Sequence, residues 1–315
     1  MSRQAGIELQ NIVNNPSKKM GLRARLSANI RVFLWLPTLL FLLYFFFYPL
    51  TKILSLTFSP ATLANSNNLL ITFNSLLFTF YQATLSTILT FLLGLPSAVL
   101  FSRFDFRGKS LLRALTAVPF MLPTVVVAAA FNSLFGNHGI FSFILHPSPF
   151  ILILTAHVFY NTTIVIRIVG NALSRLDPKL EQAARSLGAD TFRVWKNITI
   201  PLLSPSLLAA ALLVFMFDFT SFGVILLLGG SNFSTLEVEI YIRALKLPNL
   251  PLAAMLSVIQ LLFTLIFSIL YARSINQTTT QTSPRFSPAR QPKSLSEKTF
   301  VFTFYLLLVT FLPFL

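Results

Sequence analysis

Residues 181–201 read EQAARSLGADTFRVWKNITIP, a polar, helix-forming stretch between two long apolar runs. Asp177-Pro178 starts a helix just ahead of it, because the aspartate caps free N–H groups and proline suits the first helical position. Leu180, Ala183, Ala184 and Leu187 then recur on one helical face. Gly188 supplies a stop where the backbone can turn left-handed. A helix of about ten residues is marginal alone in water, so this one needs a partner surface, and its alanines permit close approach. An interfacial helix lying on lipid is the competing use of the same composition.

Outward from that stretch the chain is apolar. Its 315 residues are 55 % hydrophobic and 10 % charged, with 34 phenylalanines; the mean hydropathy is +0.75. A soluble domain carries about 25 % charged residues. The expected fold is therefore all-α and polytopic, because only helices or closed barrels satisfy the backbone inside lipid. Runs of roughly 18–25 apolar residues cross a bilayer. Six are expected, near Val32–Leu50, Thr72–Phe101, Leu111–Phe135, Phe150–Gly170, Leu207–Gly229 and Leu252–Tyr271. The second is overlong, and Pro119 and Pro123 are expected to kink the third. A seventh run, from Phe300 to Leu315, is too short for a comfortable span. Cysteine is absent, which excludes disulfides, thiolate zinc sites and thiol nucleophiles.

Topology accounts for the net charge of +15. All but three of the 24 basic residues fall in the N-terminal tail, the loops after spans two and four, and the segment after span six. Only Lys52, Arg243 and Lys246 fall on the other side. The positive-inside rule then places the N-terminus and the 171–206 loop in the cytoplasm, with anionic lipid as a further contact. Nucleic-acid binding is not expected.

After Gly188 come nine residues, then Ile198, one residue, Ile200 and Pro201. This resembles the EAA signature of binding-protein-dependent ABC importer permeases: Glu-Ala-Ala, three residues, Gly, nine residues, Ile, one residue, Leu-Pro. Gln182, Ala183, Ala184, Gly188, Ile198, Ile200 and Pro201 fall on its positions. Gln182 replaces the glutamate, with Glu181 beside it, and Ile200 replaces leucine. The resemblance covers roughly Asn74–Ala272 and implies a type I importer permease fold. It also implies that the loop is a coupling helix docked on a cytoplasmic ABC ATPase dimer, with substrate delivered by an external binding protein. Glu181, Gln182, Ala183, Ala184, Gly188, Ile198 and Pro201 are the implied ATPase-coupling residues.

FMFDFTSFGVILLLGG in span five, then TLEVEIY and AAMLSVIQ, resemble the permeases for thiamine (or its phosphates) and ferric iron. Members of that subgroup are often fused, two permease halves to a chain. This chain is accordingly expected to be the N-terminal half of such a fusion, needing a second permease domain, fused or separate. The expected organisation is a basic tail (1–31), a first span with its outer loop (32–71), a permease domain (72–272), a linker (273–298) and the start of a second half (299–315).

Asp218 is the one carboxylate inside a span. An acid there is costly and should face a wet cavity or a protein partner. It reads either as a contact for a cationic substrate or as a structural partner of Thr220, Ser221 or another span. Ser221 and Asn132 join it as pathway candidates. Asn161 and Gln260 read as interhelical hydrogen bonders. Gly229-Gly230 reads as the end of span five. His138, His146 and His157 lack ligand spacing and a carboxylate companion, so no metal site is expected. Outer residues Thr235–Leu247 read as an amphipathic helix, either solvated or docking the external binding protein, with Glu239 and Arg243 spaced as an i,i+4 pair.

No GxxxxGK[ST] loop occurs, so any ATP is hydrolysed by a partner, and no cofactor is expected in this chain. No catalytic constellation gathers at the membrane surface, so the chain does not read as an enzyme. The alternative reading is a secondary transporter driven by an ion gradient, which leaves the 181–201 loop without a role.

Overall fold

The computed structural model describes residues 35–136, 139–141, 147–230, 233–281 and 289–311. The basic tail, His138 and His146 lie outside them. Among the described residues the elements are helical. Besides a short turn at Pro60–Leu63 they are α1 (Trp35–Thr57), α2 (Ser66–Arg103) and a segment broken into α3 (Lys109–Leu115), α4 (Val118–Met121) and α5 (Thr124–Phe135). Then come α6 (Pro149–Ser174), α7 (Pro178–Ser186), α8 (Thr191–Phe219) and α9 (Gly223–Leu228). Last are α10 (Leu236–Tyr241), α11 (Leu250–Gln281) and α12 (Leu295–Phe311). Five of these helices are long and apolar enough to cross a membrane, six if the broken segment counts as one span.

The packing logic is that of a protein in lipid. Along α2 the buried residues include Asn68, Thr72, Ser75, Thr79, Gln82, Ser86, Thr90, Gly94 and Ser97, spaced three and four apart. Leu69, Phe73, Leu77, Tyr81, Ile88 and Leu92 stay exposed on the outside. Large apolar groups lose nothing by facing lipid, while small residues let helices approach closely. Gly94 shows how closely: a Cβ built there would sit 2.7 Å from Cβ of Val165 on α6.

Proline places the breaks. Leu122, preceding Pro123, is extended (ψ 143°), as the clash with a following proline ring demands. The expected kink in span three is a bend of 101° between the α3–α4 arm and α5. Three single π turns, Leu43–Phe47, Trp195–Thr199 and Ile242–Lys246, each end two residues before a proline: Pro49, Pro201 and Pro248. A proline that cannot donate its N–H displaces the ladder, and a π turn absorbs the displacement.

Span five departs from the expected Leu207–Gly229. The helix starts at Thr191 and stops at Phe219, and Gly223–Leu228 forms a separate helix. The chain leaves the ladder at Thr220-Ser221, and Val224, Ile225 and Leu228 pack with Val127, Phe131 and Ile153 in a core with α5 and α6. Gly230, with φ +63°, turns the chain after α9 rather than ending span five. The outer helix is also less solvated than expected. Glu239 pairs with Arg243 at 2.7 Å, yet Leu236, Val238 and Glu239 are buried. The expected linker is partly structured: α11 runs to Gln281, and Arg290 forms a short backbone bridge with the end of α2 (Asp105 N–H to Arg290 O, 2.9 Å; Arg290 N–H to Arg103 O, 3.0 Å).

Candidate functional site: a water-facing helix and a buried polar cavity

At one end of the molecule, α7 is capped on both sides by its own sequence. The Asp177 carboxylate accepts from the Lys179 N–H at 2.9 Å. At the other terminus Gly188 N–H donates to Arg185 O at 2.9 Å and Ala189 N–H to Ala184 O at 3.0 Å. Those two bonds form a Schellman motif, with Gly188 at φ +84°. One face of the loop is tied inward. The Glu181 carboxylate receives both Arg103 guanidinium arms and accepts from Thr199 Oγ1 at 3.2 Å. Arg103 also lies 4.9 Å from the centre of the Trp195 ring. The helix is thereby clamped to the end of α2 and the foot of α8.

The other face is open. Gln182 and Ala183 are exposed, and so are Leu180, Leu187 and Phe192, Leu187 at 89 %. Ala184 and Ile198 are half-buried, and Pro201 is exposed. The carboxylate next to the signature position therefore serves an internal bond, and the glutamine faces outward. Arg103 and Thr199 were not anticipated as its partners, because they stand far from Glu181 in sequence.

Deep between α2, α6 and the α8–α9 break lies a second constellation. Asp218 is fully buried. Its Oδ1 accepts from Asn161 Nδ2 at 2.7 Å and stands 3.6 Å from His157 Nδ1. His157 Nδ1 also lies 2.8 Å from Gln82 Nε2 and 3.2 Å from Ser86 Oγ, and its Nε2 lies 2.8 Å from Ser221 Oγ. Asp218 Oδ2, Asn161 Oδ1 and Gln82 Oε1 are buried acceptors with no protein partner. A cavity of about 200 Å³ adjoins the first two, lined by Thr124, His157, Asn161, Asp218, Thr220 and Ser221 among others. Its lining holds an acid and hydroxyls but neither lysine nor arginine.

Asp218 and Ser221 come together here. Asn132 does not: it is exposed on α5 and lines no part of this cavity. The partner of Asp218 is Asn161, the polar group on another span that was among the expected partners; the Thr220 hydroxyl bonds Met216 O and the Ser221 hydroxyl meets His157 Nε2. His157 has the carboxylate companion that the sequence did not reveal, although no group of three His, Cys, Asp or Glu forms among the described residues. Asn161 bridges helices as expected, and Gln260 bonds Glu237. His157 and Asn161 stand i,i+4 in α6, and Gln82 and Ser86 stand i,i+4 in α2. Polar pairs on one face of a span were the signal available.

A polytopic helical protein with a capped, water-facing helix at one end and a polar cavity between its spans has the architecture of a membrane permease. The chain belongs to the family of binding-protein-dependent transport system inner membrane components, whose sequence profile matches residues 90–278. It is 32 % identical over 200 residues to the thiamine transport system permease protein ThiP of Haemophilus influenzae, covering 60 % of this chain and 37 % of that protein. It is 30 % identical over 190 residues to the sulfate transport system permease protein CysT of Salmonella typhimurium, covering 58 % and 69 %. With the putative 2-aminoethylphosphonate transport system permease protein PhnU of Salmonella choleraesuis it shares 28 % over 262 residues, covering 76 % and 91 %. The chain thus spans little more than a third of the length of the thiamine relative.

Among solved structures, a bacterial ABC transporter involved in alginate import matches with a TM-score of 0.61 at 15 % identity, over 83 % of this chain and 99 % of that one. The inward-facing MetNI methionine transporter matches at 0.52 and 15 %, over 68 % and 99 %. The fold is that of the type I ABC importer permeases.

Proposed function

We propose that the chain is the permease subunit of an ATP-driven importer in a bacterial inner membrane, with α7 as the element that couples it to a separate cytoplasmic ATPase dimer. The observation that carries the reading is α7 itself. It is capped at both ends and clamped inward through Glu181, and it presents Leu180, Ala183, Leu187 and Phe192 outward. Such an apolar face at a water-exposed end needs a soluble partner. The bacterial alginate ABC transporter has also been solved in complex with an alginate pentasaccharide-bound periplasmic protein, which supports an external binding protein as the delivering partner. A second permease domain, fused or separate, completes the pathway. The N-terminus and α7 share the cytoplasmic side, on the strength of the one-sided basic residues.

The cavity beside Asp218 is the proposed pathway contact. The relatives named above carry thiamine, sulfate and 2-aminoethylphosphonate. A lining with a carboxylate, orphan acceptor oxygens and a histidine, but neither lysine nor arginine, suits a cation better than a dianion. The substrate is therefore thiamine (or its phosphates) or ferric iron rather than sulfate. The test is uptake into vesicles holding the assembled transporter, with labelled thiamine, ferric iron and sulfate offered in turn. ATP-dependent entry of thiamine or iron is expected. Entry of sulfate alone would overturn the substrate assignment.

A further inference from the structure

A separate cavity of about 220 Å³ lies beside the end of α2, at the end of the molecule that carries α7, and Ser102, Lys109, Arg113, Asn171, Ser174 and Ala289 contribute to its wall. Its charge is one-sided. Lys109 and Arg113 stand i,i+4 on α3, where like charges repel, and no carboxylate lines the space. Asp105, in the loop ahead of α3, acts on Lys109 but forms no part of the wall. Glu297 is engaged with Arg290. Both cations are held in place: Lys109 Nζ donates to Phe104 O at 2.7 Å, and Arg113 Nη2 donates to Asn171 Oδ1 at 3.2 Å. Each keeps further N–H groups for a ligand. Leu111, between them in sequence, is exposed on a segment apolar enough to be part of a span. Such a position suits the boundary between acyl chains and headgroups.

We propose that this cavity binds a phosphate group, held between Lys109 and Arg113 with the Asn171 amide beside it; the Ser102 and Ser174 hydroxyls, which donate to Val99 O and Asn171 O, shape the wall. The group comes from an anionic phospholipid headgroup or from soluble phosphate, because both present the same oxygens to the same donors. Ser102 adjoins Arg103, which clamps Glu181 of α7, so a bound phosphate would sit one residue from the coupling helix anchor.

The experiment uses the full chain in nanodiscs of phosphatidylcholine with a minor fraction of phosphatidylglycerol, read by native mass spectrometry, with inorganic phosphate as competitor. The wild-type chain is expected to retain a phosphatidylglycerol molecule. Occupancy should fall about tenfold in K109Q/R113Q, with two charges removed near the membrane surface, and persist in K109R/R113K and in K196Q. Should the double neutral variant not fold, Ser174→Trp fills the cavity with both charges kept and is expected to give the same loss. Displacement by inorganic phosphate assigns recognition to the phosphate group alone, and resistance to displacement assigns it to the whole lipid. Equal retention of phosphatidylglycerol and of labelled phosphate by wild type, K109Q/R113Q and Ser174→Trp would overturn the proposal.

Discussion

Gly188 has a left-handed φ of +84° and open space where a side chain would project. A substitution there is opposed by the backbone and not by neighbours. Valine resists positive φ, at a cost of roughly 1–2 kcal/mol, and would loosen the turn that aims Leu187 and Phe192. Gly188→Val is expected to abolish ATP-driven uptake with membrane insertion intact, while Gly188→Asn, which tolerates this conformation, retains most of it. Uptake assays on the pair check the point, and normal uptake by the valine variant would count against α7 as the coupling element. Asp218 is the corresponding residue for the proposed pathway. Asp218→Asn keeps a side chain of the same size and removes the charge, and is expected to slow thiamine or iron uptake about tenfold or more, equivalent to ~1.4 kcal/mol. Unchanged uptake with a lowered melting temperature would assign Asp218 to structure alone.

Between elements, the α2–α6 contact is set by small residues. Gly94→Ala places a methyl group 2.7 Å from Val165 Cβ and is expected to cost about 1–3 kcal/mol through overpacking. Val165→Ala in the same chain should restore part of the lost melting temperature, and a failure of that rescue would show that the two helices do not meet there. At α12, the Arg290 guanidinium and the Lys293 and Ser294 N–H groups hold the Glu297 carboxyl down to about 2 from 4.5. The folded state thus binds fewer protons than the unfolded one. The clasp is fully present above about pH 4.5 and is lost as pH falls towards 2. The hydrogen-exchange protection of the first turn of α12, measured relative to the free chain at each pH, should stay high at neutral pH and fall only in that acid window. Protection that is the same at pH 2 as at pH 7 would contradict the clasp.

How far sequence reached is clearest at this scale. Helical runs, the Asp177 cap, the Gly188 turn and the break at Pro123 were legible because each rests on local backbone chemistry. The end of span five was misplaced because hydropathy stays high through Phe222–Leu228. It is the polar Asp218–Ser221 stretch, together with packing of α9 on α5, that ends the helix. The polar cavity was half legible: Asp218, Ser221 and Asn161 stood out one by one. His157, Gln82 and Ser86 join them through contacts 57 to 75 residues apart in sequence, and neither composition nor local spacing encodes those.

For the whole molecule, family membership, the one-sided basic loops and the outward face of α7 all support the proposal of a membrane subunit that works with partners. Leu187 and Phe192, exposed at 89 % and 71 %, are the apolar residues that the proposed ATPase contact would cover. The most direct test is native mass spectrometry of the complex extracted gently from its own membranes, wild type against Leu187→Asp/Phe192→Asp. The account predicts a permease assembly carrying two ATPase subunits, lost in the double variant while the membrane part stays folded. A chain that comes out without any ATPase, and vesicles that still take up substrate after ATP is exhausted, would contradict it and favour a carrier driven by an ion gradient.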